Sequence, residues 1–176
     1  MKVVVLTGPE SSGKSWLARE LQQAFGGVIV DEYVRHFIEH NQRDTCLADI
    51  DAIAKGQLEW EDQARSQQPD LLILDTHLLS NMLWSQTLFD DCPTWLESAL
   101  LEREYHLHLL LSPLDVPWVD DGQRCQPEIA ARLGFYEACE RWLQRHQQPY
   151  VCVQGNWLAR RDFVIKTLTR WLQSVQ

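Results

Sequence analysis

The feature that most constrains this chain is a complete phosphate-binding loop pattern near its first residue. Residues 8–15 read GPESSGKS, which fits G-x-x-x-x-G-K-[ST] without a mismatch. Gly8 and Gly13 permit a tight turn that brings backbone N–H groups against phosphate oxygens. Lys14 is expected to reach the β- and γ-phosphates of a nucleoside triphosphate, and the Ser15 hydroxyl to ligate Mg²⁺. The pattern predicts a cofactor-binding loop formed by Gly8, Glu10, Ser11, Ser12, Gly13, Lys14 and Ser15.

The residues on both sides of the loop fit the strand–loop–helix context that the pattern requires. Before the loop, residues 2–7 (KVVVLT) are rich in β-branched side chains, as buried parallel strands are. After the loop, apolar side chains recur at helical spacing: Trp16, Leu17, Leu21, Ala24 and Phe25. Gly26 and Gly27 then supply a helix stop. This context favours a true phosphate loop over an accidental glycine-rich turn.

Beyond the loop, apolar strand-like runs alternate with helical patterns, which predicts a parallel sheet covered on both faces. Further strands are predicted at Val28–Asp31, Leu71–Asp75, Tyr105–Leu111 and Tyr150–Val153. Further helices are predicted at Ala48–Arg65, Leu78–Phe89, Trp95–Glu104, Glu128–His146 and Arg161–Val175. The expected fold is α/β, a three-layer P-loop NTPase sandwich with about five parallel strands, forming a single domain over residues 1–176.

Composition excludes several classes of function. The net charge of −9 argues against general nucleic-acid binding, which needs a basic face. No stretch approaches the roughly 20 apolar residues of a membrane span. The five cysteines are odd in number, scattered and without a C-x-x-C pair, so we expect reduced thiols and a cytoplasmic protein. The sequence indicates no particular oligomeric state.

One segment between the fourth strand and the next helix has the composition of a lid. Residues 112–124 hold two prolines, a glycine, a tryptophan and four charged residues, and the predicted lid extends over about residues 112–127. Arg124 could fold over the triphosphate and stabilise charge in the transition state, or it could be a surface arginine. Trp118 could stack on a flat ring or simply pack the loop onto the domain.

Acidic side chains follow two of the predicted strands, at the sheet edge where ligands of parallel sheets bind. Asp75 ends the third strand and is predicted to hold Mg²⁺, although it could instead cap the next helix. Glu32, with Asp31 as the second choice, is predicted to accept the proton of a substrate hydroxyl. Either acid could instead be solvated or paired with Arg35. His106 and His108 have no third partner at ligand spacing, so no metal site is expected there.

Several of these segments together resemble the ribosylnicotinamide kinase domain of NadR-type proteins. The phosphate loop is close to that family's GGESSGKS, and residues 32–35 resemble its E-Y-x-R segment. Residues 74–76 resemble its I-D-T, and residues 118–124 (WVDDGQR) resemble its W-V-x-D-G-x-R lid segment. The lid match is the most specific, because P-loop proteins in general do not require it. The resemblance covers nearly the whole chain.

The resemblance implies ATP-dependent phosphorylation of the 5′-hydroxyl of nicotinamide riboside, which gives nicotinamide mononucleotide. It implies that Gly13, Lys14 and Ser15 bind ATP and Mg²⁺ and that Arg124 belongs to the lid. With the roles argued above, the residues expected to carry the catalysis are Lys14, Glu32, Asp75 and Arg124. The resemblance places Glu32, Tyr33, Asp75, Trp118 and Asp121 around the riboside. Asp31 and Arg35, at the end of the second strand, and Asp120, beside Trp118, are further expected substrate-binding residues. Because the riboside carries a pyridinium charge, an aromatic ring beside carboxylates would suit it, and Trp118 is the ring expected to stack on it.

Three departures from the family pattern leave alternatives open. His77 stands where the family often has an acid, and Pro9 replaces a glycine. The DNA-binding and adenylyltransferase domains of the longer relatives find no counterpart in these residues, so repression and the second step to NAD are not expected. The alternatives are a kinase of another nucleoside or small metabolite, and a non-catalytic ATP-binding regulator whose lid orders on nucleotide binding.

Overall fold

Five parallel strands form one sheet in the order β2-β3-β1-β4-β5 in the computed structural model, which describes residues 1–174. The strands are β1 (Lys2–Thr7), β2 (Val28–Val30), β3 (Leu71–Asp75), β4 (Leu107–Leu111) and β5 (Tyr150–Val153). The helices are α1 (Lys14–Phe25), α2 (Tyr33–Asn41), α3 (Ile50–Ser66), α4 (Leu78–Phe89), α5 (Trp95–Leu101), α6 (Ile129–Arg145) and α7 (Trp157–Ser174). A single turn of 3₁₀ helix, Leu47–Asp49, precedes α3.

The alternation of side chains along β1 explains the three layers. Val3 and Val5 point into the core shared with helices α3 to α6, whereas Val4 and Leu6 point into the core shared with α1 and α7. All four side chains are fully buried, so both faces of the central strand are covered by helices. The predicted three-layer P-loop sandwich with five parallel strands is therefore confirmed.

The structure departs from the sequence-based prediction in one whole helix and in several boundaries. Helix α2 was not predicted, because none of its residues is buried in either core, and Val34 and Ile38 line a cavity instead. Strand β2 ends at Val30, α5 ends at Leu101 and β4 begins at Leu107. Helix α3 begins at Ile50 rather than at Ala48, and α6 covers 129–145 rather than 128–146.

Helix α7 begins one turn before the predicted Arg161, at Trp157. Asn156 precedes it, and the Asn156 Oδ1 atom accepts a hydrogen bond from the Ala159 backbone N–H at 3.0 Å, which is an N-cap. The predicted C-terminal residue of this helix, Val175, lies outside the described residues. Within residues 1–174, no helix is long and apolar enough to cross a membrane.

Candidate active site

The phosphate loop lies between β1 and α1, and its two glycines are required by the backbone. Gly8 has φ 133°, and a Cβ atom there would lie 2.6 Å from the Leu111 carbonyl oxygen. Gly13 has φ 87° and stands directly before α1, where a Cβ would lie 2.5 Å from the Trp157 ring. Both positions therefore exclude side chains. The loop leads into the N-terminus of α1, where the helix dipole favours an anion.

Lys14 is folded back over the loop. Its Nζ atom donates to the carbonyl oxygens of Gly8, at 3.1 Å, and Pro9, at 2.8 Å. The Ser12 hydroxyl donates to the same Pro9 oxygen at 2.8 Å. The ammonium group thus lies over the concave side of the loop, where it can exchange carbonyl oxygens for phosphate oxygens.

Asp75 ends β3, beside Leu6 of β1, with only 2% of its surface exposed. Burial raises its pKa to about 6, and the charge of Glu32 adds to the rise, while Lys14 and a hydrogen bond from the Ser15 hydroxyl oppose it. The Asp75 Oδ1 atom has no partner. No side chain caps the start of helix α4, so no hydrogen bond supports the alternative that Asp75 is the cap of this helix. A buried, unpartnered carboxylate oxygen beside a serine hydroxyl is a donor set that fits Mg²⁺.

The residues after β2 do not all face the same way. Glu32 lines the main cavity and accepts a hydrogen bond from the Arg35 Nε atom at 3.1 Å. Asp31 is exposed and forms an ion pair with Arg19 at 2.7 Å. The Tyr33 ring packs on Trp60 of α3, with ring centroids 4.8 Å apart, and is not part of the cavity wall. Of these sequence-predicted residues, the structure brings Glu32 and Arg35 to the cavity.

The lid segment, residues 112–127, lies closed on the phosphate loop and is held by the Glu10 carboxylate. Glu10 accepts hydrogen bonds from the Trp118 indole Nε1, at 2.8 Å, the Gln126 backbone N–H, at 2.8 Å, and the Cys125 backbone N–H, at 3.1 Å. All three donors belong to the lid. A variable position of the phosphate-loop pattern is therefore the main attachment point of the lid.

Ser11 adds a second attachment from the same loop. Its hydroxyl donates to the Pro117 carbonyl oxygen at 3.3 Å and accepts from the Val119 backbone N–H at 3.0 Å. The Arg124 Nη1 atom lies 3.2 Å from the same hydroxyl. Arg124 is thereby placed over the phosphate loop and lines the cavity, as a lid arginine would.

The lid also reaches the loop after β2. The Asp121 carboxylate accepts from Arg35 Nη1 at 2.9 Å and lies 3.1 Å from Arg124 Nε. Partial burial would raise the pKa of Asp121, but the hydrogen bond from Arg35 and that from the Gln123 N–H outweigh burial and lower the pKa. Asp120 is exposed and accepts from the Gly122 N–H at 2.9 Å, so it shapes its own turn.

The predicted stacking position of Trp118 differs from its position in the structure. Its ring does not line the cavity, and its indole N–H is engaged by Glu10. The ring therefore packs the lid onto the phosphate loop, which is the second of the two roles considered from the sequence. In this closed arrangement another side chain must supply any aromatic surface for the substrate.

A cavity of about 640 Å³ joins the phosphate loop to an apolar pocket. Its phosphate end is bounded by the loop, Glu32 and Arg124, and its outer wall includes Trp16 and Trp157. The apolar pocket is built by α2, α3 and α4, which contribute Val34, Ile38, Ile50, Ile53, Trp84, Leu88 and Phe89. The pocket has the size, and the mixture of apolar walls and few polar groups, that small-molecule sites have.

Sequence reasoning missed two residues of α4 in this cavity. Trp84 lines the pocket and packs behind it on Phe135, with ring centroids 4.7 Å apart. Asn81, one turn earlier, also lines the cavity, and its Oδ1 atom is buried without a partner. Nothing in the sequence singled out Asn81, since α4 also contains the amide Gln86, and nothing separated Trp84 from core tryptophans.

Arg160 of α7 braces the phosphate loop from behind. It is 1% exposed, and its guanidinium donates to four backbone carbonyl oxygens, those of Ser12, Ser112, Leu114 and Gly155. These oxygens come from the phosphate loop, the base of the lid and the β5–α7 connection. No group of three or more His, Cys, Asp or Glu side chains with metal-binding geometry occurs in residues 1–174.

The attachment of the lid predicts the effect of replacing Glu10. Glu10→Ala removes three acceptor contacts, so we expect the KM for ATP to rise about tenfold or more. We also expect proteolytic cleavage within residues 112–127 to become faster than in the unmodified protein. The matched control is Glu102→Ala, an exposed acid at the end of α5. Unchanged KM and cleavage in Glu10→Ala would show that the lid does not depend on this carboxylate.

The fold and the site define the class of the chain, which is a P-loop protein with the architecture of the ATP-dependent phosphotransferases. The chain belongs to the AAA domain family, whose pattern matches residues 3–161. The Trifunctional NAD biosynthesis/regulator protein NadR of Escherichia coli (strain K12) is 25% identical over 158 residues, and its counterpart in Salmonella typhimurium is equally similar. The match covers 88% of this chain and 38% of each of those proteins.

Solved structures show the same likeness. A NadR protein in complex with NR superposes with a TM-score of 0.78 at 21% identity, over 96% of this chain and 51% of that one. A deoxyadenosine kinase from M. mycoides with bound dATP superposes with a TM-score of 0.67 at 13% identity, over 96% and 100% of the two chains. The resemblance to the NadR-type domain that the sequence indicates is confirmed. The chain spans well under half the length of the curated relatives.

Proposed function

We propose that this protein is an ATP-dependent nucleoside kinase, and that its acceptor is the 5′-hydroxyl of nicotinamide riboside, which becomes nicotinamide mononucleotide. The observation that carries the proposal is the single cavity that joins the phosphate loop, through Glu32, to an apolar and aromatic pocket. A nucleoside has the matching shape, since its 5′-hydroxyl lies at one end and its flat base at the other. The likeness to a NadR structure containing NR and to a deoxyadenosine kinase supports the same class of acceptor.

Each polar residue at the phosphate end has a task in this reaction. Lys14 and Arg124 neutralise the charge of the triphosphate, and Lys14 also contacts the γ-phosphate, which is the group transferred. Glu32 orients the acceptor hydroxyl and accepts its proton, while Arg35 holds the Glu32 carboxylate in place. Ser15 and Asp75 would hold Mg²⁺, which shields the phosphate charge when it is bound. The closed lid excludes water, so transfer to the nucleoside is favoured over hydrolysis.

Charge and aromaticity in the pocket favour a cationic base. Glu32 and Asp44 line the cavity, and Trp84 offers the aromatic wall that the sequence had assigned to Trp118. A pyridinium ring on the face of Trp84 would gain both stacking and cation–π attraction. Reduced thiols and a cytoplasmic location belong to the same proposal and rest on the five free cysteines.

The deciding experiment is ADP release by the purified protein with Mg²⁺-ATP across a panel of nucleosides. The panel includes nicotinamide riboside, its uncharged reduced form and deoxyadenosine, and the product is weighed by mass spectrometry. Stimulation by nicotinamide riboside, with a product heavier by one phosphate, is the expected result. Preference for another nucleoside would support nucleoside kinase activity but would show that nicotinamide riboside is not the acceptor. Absence of any stimulation, with ATP still bound, would favour the regulator.

The pocket predicts a specific effect of replacing Trp84. Trp84→Ala should raise the KM for the nucleoside about 10- to 100-fold, because stacking of a base on an aromatic ring is worth about 1–3 kcal/mol. The KM for ATP should change little, and Trp84→Phe should recover most of the loss. Trp118→Ala is the comparison, and it should act mainly on the KM for ATP, through the lid. If Trp84→Ala and Trp118→Ala raised the KM for the nucleoside equally, Trp84 would not be the ring that stacks on the base.

A further inference from the structure

The backbone on both sides of Glu32 is held by one side chain of α3, that of Gln57. The Gln57 Nε2 atom donates to the Asp31 carbonyl oxygen at 3.2 Å, and its Oε1 atom accepts from the Tyr33 backbone N–H at 2.8 Å. Only 1% of the surface of Gln57 is exposed, so water does not compete for these two hydrogen bonds. Both peptide groups that flank Glu32 are therefore fixed by a single buried amide.

The two hydrogen bonds have the pattern that a neighbouring strand would make. In a parallel sheet, the peptide groups before and after one residue bind the C=O and N–H groups of a single residue on the next strand. The Gln57 amide offers the same pair of groups to the backbone around Glu32, which is extended, with φ −74° and ψ 106°. Strand β2 ends at Val30, so the amide keeps the chain extended beyond the end of the strand.

The direction of this extended segment decides which of two adjacent acids reaches the cavity. Successive side chains of an extended chain point to opposite sides. Glu32 lines the cavity, whereas Asp31 is exposed and pairs with Arg19 at 2.7 Å. A rotation of the backbone here would turn the Glu32 carboxylate away from the cavity, and both hydrogen bonds of Gln57 oppose such a rotation.

The residue before Gln57 fixes the same segment by its lack of a side chain. A Cβ atom on Gly56 would lie 2.2 Å from the Tyr33 ring, so the ring occupies the space that the glycine leaves on α3. On its other side the ring packs on Trp60, one turn further along the same helix. Helix α3 thus holds the backbone before Glu32, and both the backbone and the ring of the residue after it.

We propose that Gln57 is a positioning residue, which directs the carboxylate of Glu32, rather than that of Asp31, to the acceptor hydroxyl. This role rests on the proposed function, in which Glu32 accepts the hydroxyl proton. The hydrogen bond that Arg35 gives to Glu32 is made by a guanidinium that also binds Asp121 of the lid. The bonds of Gln57 come from α3 and do not involve the lid, so they hold Glu32 in place whether the lid is open or closed.

Two variants of Gln57 and one control test the assignment. Gln57→Met has a similar length and lacks the amide donor and acceptor. Gln57→Glu keeps the shape and the acceptor for the Tyr33 N–H but, when ionised, has no donor for the Asp31 oxygen. Gln63→Met, which removes an exposed glutamine from the same helix, is the control. The kcat, the KM values for ATP and nucleoside, and the melting temperature are measured for each protein.

The expected effect lies mainly on kcat. Gln57→Met should lower kcat about 10- to 100-fold, because a small displacement of a catalytic group has an effect of this size. Its KM for ATP should change by less than about twofold, since the contacts of the phosphate loop are intact. Gln57→Glu should lie between Gln57→Met and the unmodified protein, and Gln63→Met should match the unmodified protein. An unchanged kcat in Gln57→Met would overturn the proposal.

A double-mutant cycle separates positioning from a purely structural role. Glu32→Gln alone should lower kcat about 100-fold or more, because the proton acceptor is lost. Adding Gln57→Met to Glu32→Gln should then change kcat by less than about twofold, since Gln57 acts through a carboxylate that is already absent. A residue that only stabilises the fold would cost the same factor in both backgrounds, and that result would contradict the proposal.

The position of the Glu32 carboxylate can also be determined without any acceptor. In a crystal structure of ligand-free Gln57→Met, we expect this carboxylate to have left the cavity wall or to occupy several positions. A Glu32 side chain unmoved from its place would overturn the proposal. If the unmodified protein phosphorylates no nucleoside, the proposed function fails, while this structure still decides whether Gln57 places Glu32.

Discussion

Asp75→Asn is expected to make the ligand-free protein more stable at pH 8 and to abolish phosphoryl transfer. The folded state holds the Asp75 proton more tightly than the unfolded state, because the pKa is about 6 in the fold and near 3.8 in the unfolded chain. Stability is therefore lost as the pH rises from about 4 to about 6, and the loss persists above that range. The difference corresponds to about 3 kcal/mol, which asparagine avoids.

The measurement is denaturant unfolding in EDTA, without nucleotide, at pH 4 and pH 8. We expect Asp75→Asn to exceed the unmodified protein in free energy of unfolding by up to about 3 kcal/mol at pH 8, and by much less at pH 4. Turnover with Mg²⁺-ATP should fall about 1000-fold or more, since the carboxylate that would hold Mg²⁺ is gone. Asp162→Asn, an exposed acid on α7, is the control. Equal stability of Asp75→Asn and the unmodified protein at pH 8 would mean that the fold already compensates the buried charge of Asp75.

Lys14→Ala is expected to abolish turnover with the fold intact. The Lys14 ammonium donates its hydrogen bonds to loop carbonyl oxygens, and the side chain is half-buried, so its removal opens no cavity in either core. Its loss takes a fixed positive charge away from the β- and γ-phosphates, and we expect kcat/KM to fall about 1000-fold or more. Circular dichroism and melting temperature should match those of the unmodified protein.

The control for Lys14→Ala is Lys55→Ala, which removes an exposed lysine from α3. Nucleoside phosphorylation is measured for both variants under saturating Mg²⁺-ATP. If Lys14→Ala kept a turnover close to that of Lys55→Ala, residues 8–15 would not hold the triphosphate during catalysis.

Those parts of the fold that depend on local pattern were predictable from the sequence. The apolar runs of β1 and β3 and the loop signature between β1 and α1 fixed the sheet core and the place of Asp75 at its edge. The start of α7 was missed although Asn156 is a recognisable cap, because the first apolar residues of the helix, Trp157 and Leu158, are exposed. Helix α2 was missed for a different reason, since Ile38 and its neighbours line a cavity and so leave no core-facing pattern.

The site was less predictable where its geometry depends on contacts between distant residues. Whether Trp118 faces the substrate or the loop is decided by a hydrogen bond to Glu10, 108 residues away. Trp84 is one of several apolar residues in a largely buried helix, and only the three-dimensional packing shows that its ring reaches the cavity. Asn81 became notable only because the structure places it in the cavity wall with its buried Oδ1 atom unpartnered.

Because of the hydrogen bonds of the Arg160 guanidinium, a change in nucleotide affinity indicates a change in how α7 packs against the phosphate loop. Because this guanidinium binds carbonyl oxygens of the phosphate loop, the lid base and the β5–α7 connection at once, none of the three can move without loss of hydrogen bonds in the others. Anything that displaces α7 must weaken nucleotide binding by the same factor by which bound nucleotide resists the displacement. A helix remote from the reacting atoms in sequence is thereby thermodynamically linked to them.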